Sequence, residues 1–340
     1  MHPPRTAPHR VQLTRIWTQA RRSPFLPAVV LVLIVATAAA LFAGAYSTYL
    51  AAPRPHKIPI AVTEQRSPLP SALSNALDTA LDGSLDLRRY PDDAHAYEAL
   101  QEQHVLAVLQ PRTNGSVGLD VAGAAGTSVA DLLTRTAPEA ARQAGIHLTV
   151  TDVLPPQPSD PRGLALFYMT LAAVIIGFIG ALQLNVHAAR LRPGERIAFN
   201  ALTALIGGFA ITATIALLIG TVDLPLWQSW AVLTLTMFAS AMGFTMFTAL
   251  FGRWAMVPTW GIVVLVGNIA SGGLVPGALL PPLLARTGQL LPPGASISAH
   301  RTAIYFPDHQ HATPYLVLAG WSLVSCAVFW VRRQRYPGGR

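Results

Sequence analysis

Six long apolar runs divide the chain into spans typical of a membrane and polar segments between them. The runs cover residues 26–50, 164–186, 197–220, 230–251, 257–275 and 314–331. Each is near the roughly 20 residues that an α-helix needs to cross a hydrocarbon core, and none contains Asp, Glu, Lys or Arg. The pattern predicts an α-helical polytopic membrane protein with six transmembrane helices, one before and five after a polar insert.

The first run follows a basic stretch, as a signal peptide would. The apolar part of a signal peptide is roughly 7–15 residues long, whereas this run covers 26–50. We therefore expect an uncleaved anchor. Cleavage near Ala51 and Ala52 is the alternative.

The insert, residues 51–163, alternates short strand-like and helix-like patterns and carries more charge than the spans. The predicted strands are 58–63, 104–109, 117–121 and 147–153, and the predicted helices are 69–81, 92–103 and 129–144. Four prolines between 155 and 161 predict a stiff connector to the second span. The insert is expected to be a small extracytoplasmic α/β domain.

Charge gives the expected orientation. The chain is 52% apolar, only 12% charged, and carries a net charge of +8, with Lys57 as its single lysine. Because the arginines lie beside the apolar runs, they indicate a membrane surface rather than nucleic acid. When the segments between the runs are assigned alternately to the two sides of the membrane, one side holds 13 basic residues and one acidic residue, and the other holds 11 basic and 15 acidic residues. We expect a multi-pass protein of the cell membrane, embedded in its bilayer, with both termini in the cytoplasm, including the tail 332–340.

Two basic segments are expected on the cytoplasmic side. Residues 1–25 place apolar side chains among arginines, a pattern typical of an amphipathic helix on the inner membrane face; a disordered basic tail is the alternative. The loop after the second span carries Arg190, Arg192, Glu195 and Arg196. It is a candidate docking point, unless it serves only to fix the topology.

The fifth span ends in residues that a regular helix does not accommodate. Asn268 is followed by Ser271, Gly272, Gly273 and Pro276, and the next segment contains the pair Pro281-Pro282. Glycine and proline both disfavour helix, and non-helical backbone at membrane depth requires protein or a wet cavity beside it. We expect the helix to break near 271–276 and residues 277–291 to form a re-entrant segment at the outer face. A plain helix end followed by an outer loop is the alternative.

No pattern in the sequence indicates a catalytic, cofactor-binding or metal site, so no enzyme activity is expected. A phosphate-binding loop needs a Gly-Lys-Ser/Thr ending, and Lys57 lies in Pro-His-Lys-Ile. A proton-driven carrier needs an ionisable group inside the membrane, and the six runs have none. The remaining possibilities are a passive protein and a transporter driven by ATP on another subunit.

Two stretches of the chain resemble ABC-2 type transporter permeases. They are residues 160–168, which lead into the helix with Gly177 and Gly180, and Ser271-Gly272-Gly273 with the prolines that follow it. Within these permeases the chain is most similar to the phage infection protein (YhgE/Pip-like) branch, although its outer domain is much shorter. The resemblance implies a permease subunit that forms a homodimer or a paralogous heterodimer. It also implies a separate ATP-binding subunit that carries the ATP, docked on residues 1–25 and the first inner loop.

Two functions are therefore expected from the sequence. The first is the export permease, moving an amphiphilic, lipid-like or polymeric substrate. The alternative is a non-transporting membrane receptor or scaffold that acts through its extracytoplasmic domain.

Overall fold

The computed structural model of the chain describes residues 25–51, 55–63 and 68–335. This part is mostly helical, contains one five-stranded sheet, and divides into two compact units between Thr48 and Tyr49. Nearly all of the predicted amphipathic segment 1–25, and the end of the predicted tail, lie outside the described residues.

The first unit contributes a single long helix. Helix α1 covers Phe25–Ala51, one residue beyond the predicted span at each end. Its apolar side chains are exposed, for example Val32 and Leu33. Exposed valine and leucine along a helix are typical of a surface that faces lipid.

Four more long helices belong to the second unit. They are α5 (Ala165–His187), α6 (Pro193–Ala213, continued by a π-helical turn to Ile219), α7 (Leu226–Phe251) and α11 (Thr313–Arg335). With α1, they make five helices that are long and apolar enough to cross a membrane. Each matches a predicted apolar run to within a few residues.

The predicted fifth span is different. Helix α8 covers only Met256–Ile269, and its middle, Thr259–Val266, has π-helical hydrogen bonding. The chain then leaves the helix at Ala270, well before residue 275. Six continuous spanning helices are therefore not observed in the described residues, because the Gly-Gly-x-x-Pro stretch does not continue the helix.

Helix α7 is the centre of the helical part, with α5, α6 and α11 packed around it. Two glycines allow the close approach. A Cβ added at Gly177 on α5 would lie 2.6 Å from the carbonyl oxygen of Met237, and one at Gly208 on α6 would lie 2.9 Å from the backbone nitrogen of Thr234. Small residues serve this purpose in lipid, where dispersion contacts replace the hydrophobic effect.

The sheet is formed by the predicted polar insert. Its strands are β1 (Ile58–Thr63), β2 (Leu85–Tyr90), β3 (Ala107–Pro111), β4 (Val117–Val121) and β5 (Leu148–Asp152), in the order β2-β1-β3-β4-β5. All neighbours are parallel except β3 and β4, which form a hairpin. The edge strand β2 was not predicted, since its sequence Leu-Asp-Leu-Arg-Arg-Tyr is largely polar.

Alternation along the inner strands builds two apolar clusters, one on each face of the sheet. Helices α2 (Leu69–Ala80) and α4 (Thr127–Gln143) cover one face, and α3 (Asp93–Gln101) covers the other. These helices are close to the predicted ones. The sheet therefore has the two-sided core expected of a small α/β domain.

The connector to the helical part ends in a polar cap. Both carboxylate oxygens of the buried Asp160 accept backbone N–H groups at the start of α5, from Leu164 and Ala165, each at 2.9 Å. Gly163 has a φ of +64°, which an L-residue rarely adopts. The turn and the cap together fix where α5 begins.

Between α8 and α11 the chain forms two further helices. A 3-10 turn at Gly277–Leu279 leads into α9 (Pro282–Gln289) and then α10 (Pro292–Tyr305). Most of α10 is buried, yet its sequence is rich in small and polar residues and the apolar pattern did not predict it. Its burial comes from packing against α5, α7 and α11.

Candidate functional site

The helical part of the second unit has two chemically different ends. At the sheet end, helices α5, α7 and α11 begin, and the residues just before them hydrogen-bond to the sheet domain or to its connector. At the arginine end, the same three helices finish and α6 begins. The residues selected from the sequence fall at both ends, in two separate groups.

The predicted docking residues lie at the arginine end. Arg190, Arg192 and Glu195 are exposed there. The Glu195 carboxylate accepts the Arg192 backbone N–H at 2.8 Å, at the start of α6, where negative charge is favoured by the helix dipole. Three of the four residues are thus placed where a partner could reach them.

Arg196 is corrected from a docking contact to an internal group. Its side chain is buried, and its guanidinium donates to the Asn185 side-chain oxygen at 2.6 Å and to the carbonyl oxygen of Ala188 at 3.3 Å. These bonds tie the end of α5 to the start of α6. A guanidinium held this way is not presented to a partner on the surface.

A cavity of about 860 Å³ opens beside Arg196. Its lining includes Arg253, Arg332 and Arg333, together with Asn185, Thr245, Thr248 and the ring of Phe329. The arginines come from α6, from the turn after α7 and from the end of α11. The sequence placed them on one side of a membrane but gave no sign that they surround one space.

The second group of predicted residues surrounds the end of α8. Asn268 donates through its side chain to the Val264 carbonyl at 2.7 Å, and the Ser271 hydroxyl donates to the Asn268 carbonyl at 2.7 Å. Gly272 has a φ of +76°. These bonds add side-chain donors to two backbone carbonyls near the end of α8, and glycine suits the positive φ at 272.

The segment that follows enters the core of the sheet domain. Val275, Leu279 and Leu280 are buried in the same apolar cluster as β1, β3 and β4. The backbone N–H of His56, just before β1, donates to the Ala278 carbonyl at 2.7 Å. Residues 277–285 are therefore part of the sheet domain's packing. The expectation that residues 277–291 form a re-entrant segment at the outer face stays a prediction.

Pro276 and Pro281 mark the two bends of this segment. Pro276 has extended backbone immediately before the 3-10 turn, and Pro281 precedes the first residue of α9. Helix α9 then returns towards the break. A Cβ added at Gly288 would lie 1.9 Å from the Ala270 carbonyl oxygen, so the two backbones touch there.

Helix α10 carries the chain from this contact to the opposite face of the sheet. Arg301 donates to the Gly272 carbonyl at 2.7 Å and so holds the broken end of α8. Phe306, directly after α10, is fully buried among Ala61, Leu100 and Val108. The sheet domain therefore contains apolar residues from both ends of the segment 274–306, one set on each face.

A buried polar group lies within the sheet itself. Asp120 on β4 has no exposed surface and accepts from Arg112 at 2.6 Å and from the Tyr97 hydroxyl. The Gln110 amide donates to Tyr97 at 2.8 Å. Burial, and then the bond to Asp120, raise the pKa of Tyr97 to about 12. Since every member has a partner, this group organises the sheet and offers no free nucleophile.

A cavity that borders the break is small. It holds about 20 Å³ among Gly272, Gly273, Arg301 and Tyr305, room for a single water molecule. Asp120 and Phe306 were not selected from the sequence. Only Asp120 left a local signal, an acid inside an otherwise apolar strand pattern.

Comparison with known proteins identified no relative of this chain. No family model, no curated protein and no solved structure matches the chain. The resemblance to ABC-2 type permeases therefore stays a prediction that rests on the quoted residues.

Proposed function

We propose that the chain is the membrane-spanning permease subunit of an ABC-2 type exporter. It would work with a separate ATPase, which holds the ATP, to move an amphiphilic, lipid-like or polymeric substrate across the cell membrane. In this proposal the arginine end faces the cytoplasm, the sheet domain lies outside, and the chain pairs with a second copy or a paralogue.

The observation that carries the proposal is the continuous path from the helices to the sheet. The end of α8, the segment 274–285 and helix α10 are joined by backbone contact at Gly288 and by the Arg301 bond to Gly272. Both ends of that path are anchored in the sheet core. Such a path would transmit a displacement of the helices, driven from the inner side, to the outer domain.

The exposed part of the first inner loop supports a docking role at the other end. Arg190 and Arg192 project from a short connection between two long helices, and Arg196 locks the base of that connection. A rigid, basic projection is suited to an acidic surface on a partner.

The test is capture of the ATPase from native membranes. We expect the full chain, purified in mild detergent, to retain an ATP-hydrolysing subunit. Reversing Arg190 and Arg192 to Glu should remove that subunit and abolish export, since the steering charge changes sign. The control is Arg135→Glu, a single reversal of an exposed arginine on α4 of the sheet domain.

The two results must agree for the proposal to stand. If no ATPase is captured and the double reversal leaves export of every tested compound unchanged, the permease assignment fails. If Arg135→Glu removes the ATPase equally well, the loss reflects net charge and not docking.

A second candidate function is a receptor or scaffold that acts through the sheet domain. It is favoured by the two edge strands, β2 and β5, whose described residues are only partly buried. An open strand edge can pair with an extended peptide. That reading predicts that substitutions on β5 disturb function and that the Arg190 and Arg192 reversals do not.

A further inference from the structure

The cavity at the arginine end has the composition of an anion site. Four of its lining residues are arginines, namely Arg196, Arg253, Arg332 and Arg333. Among the residues that the structure describes, no carboxylate lines it. Guanidinium groups that converge on one space without a facing acid favour a negatively charged occupant.

Two of these arginines, Arg196 and Arg253, contact neutral groups within the part of the chain that the structure describes. Arg196 bonds to an amide oxygen and to backbone carbonyls, and Arg253 lies 5.4 Å from the ring centre of Trp254. Arg333 lines the same cavity as Arg196, so two like charges face one space. An anion placed between them would be attracted by both.

Size and surroundings select the kind of anion. A volume of about 860 Å³ is far more than one phosphate ion fills and is within the range of sites for larger molecules. Apolar side chains with exposed surface lie at the same end of the helices, including Phe251 and Val331. A ligand with a phosphate head and an apolar tail would meet both surfaces.

We propose that this cavity binds the phosphate of an anionic phospholipid headgroup, with the acyl chains along the neighbouring apolar helix faces. Arginine suits this ligand because its planar fork gives paired hydrogen bonds to phosphate oxygens. Basic spaces between helices on the inner side of a membrane are known to hold such headgroups. The proposal does not depend on transport and would hold equally for a receptor.

The experiment uses the full chain in detergent with added lipid. Phosphatidylglycerol is titrated into the wild type and into Arg253→Gln/Arg333→Gln, and bound lipid is counted by native mass spectrometry while thermal unfolding is followed. Each arginine near a lipid surface contributes about a fivefold change in affinity, so the double variant should lose about 30-fold. The wild type should unfold at a higher temperature with the lipid than without it.

The matched control is Arg190→Gln/Arg192→Gln, which removes the same charge from the same end of the helices but outside the cavity. It should keep the wild-type affinity. An equal loss in both variants would mean general charge attraction and would overturn the site. Equal retention of phosphatidylcholine and phosphatidylglycerol by the wild type would overturn it as well.

Two further arms distinguish the source of the phosphate and guard against misfolding. If inorganic phosphate alone stabilises the wild type through the same arginines and the lipid does not, the headgroup proposal is overturned in favour of a small anion. If the glutamine variant unfolds without lipid, Arg253→Lys/Arg333→Lys replaces it. That variant keeps the charge, and binding should fall to an intermediate level because the paired bonds are lost.

Discussion

The sheet end and the arginine end of the same helices are built in opposite ways. At the sheet end, backbones touch, Phe306 is fully buried, and the cavity beside the break has room for about one water molecule. At the arginine end, the helices enclose about 860 Å³ surrounded by positive charge. One end is fixed by close packing, and the other has space for a ligand.

The difference suggests that the two ends of the helices have different roles: the sheet end transmits movement, and the arginine end binds a ligand. A close-packed junction resists local deformation, so its parts move together. An open, charged cavity can respond to an occupant, because an anion would offset the like charges of Arg196 and Arg333 that line it. We therefore expect substitutions at the sheet end to lower stability and substitutions at the arginine end to alter binding.

The largest effect is expected from Phe306→Ala. Removing a buried phenyl ring leaves a cavity on the α3 face of the sheet and should cost about 4 kcal/mol. Thermal unfolding in detergent should show this as a large drop in midpoint. The control is Phe251→Ala at the arginine end, where 52% of the side chain is exposed. If the two variants unfolded at the same temperature, the contrast between the ends would be lost.

A smaller but still substantial loss is expected from Gly288→Ala. The new Cβ would meet the Ala270 carbonyl oxygen at 1.9 Å, and moving two backbones apart should cost about 3 kcal/mol. Gly277→Ala is the matched control in the same segment, because its Cβ would have an ordinary contact of 3.5 Å with Ala285. Thermal unfolding again measures the change; equal midpoints for both variants would show that the contact at Gly288 does not constrain the fold.

The sequence predicts those features of the fold whose cause lies in neighbouring residues. The ends of α5 and α11 were predicted to within a few residues because the length of an apolar run fixes them. Strands β1 and β4 were predicted over the same residues, since alternation and turn residues are local signals.

The parts that were missed depend on contacts between distant segments. Helix α10 begins with two prolines and also contains His300 and Arg301, so its sequence does not have the pattern of a buried helix. Its burial follows from the helices around it. Phe306 packs against strands that lie far earlier in the chain, and no periodicity near residue 306 indicates that partner.

The candidate sites show the same division. The Gly-Pro stretch after Asn268 indicated where a helix would not continue, because backbone preference is local. It did not indicate that residues 274–285 would join the sheet core. Arg196 was counted with the surface charges of its loop, and only the fold shows that it is buried beside Asn185.

The finest test of the contrast neutralises one arginine at each end. Arg301→Gln removes a charged donor from the Gly272 carbonyl and should destabilise the chain by about 2 kcal/mol. Arg333→Gln removes one of the like charges that line the cavity and, in lipid-free detergent, should leave stability unchanged or raise it by at most about 0.5 kcal/mol. Thermal unfolding of the two variants side by side should therefore show a clear drop in midpoint for Arg301→Gln and no drop for Arg333→Gln. A loss of stability in Arg333→Gln equal to that in Arg301→Gln would mean that Arg333 is a structural support, and the arginine end would then have to be regarded as a packed junction like the sheet end.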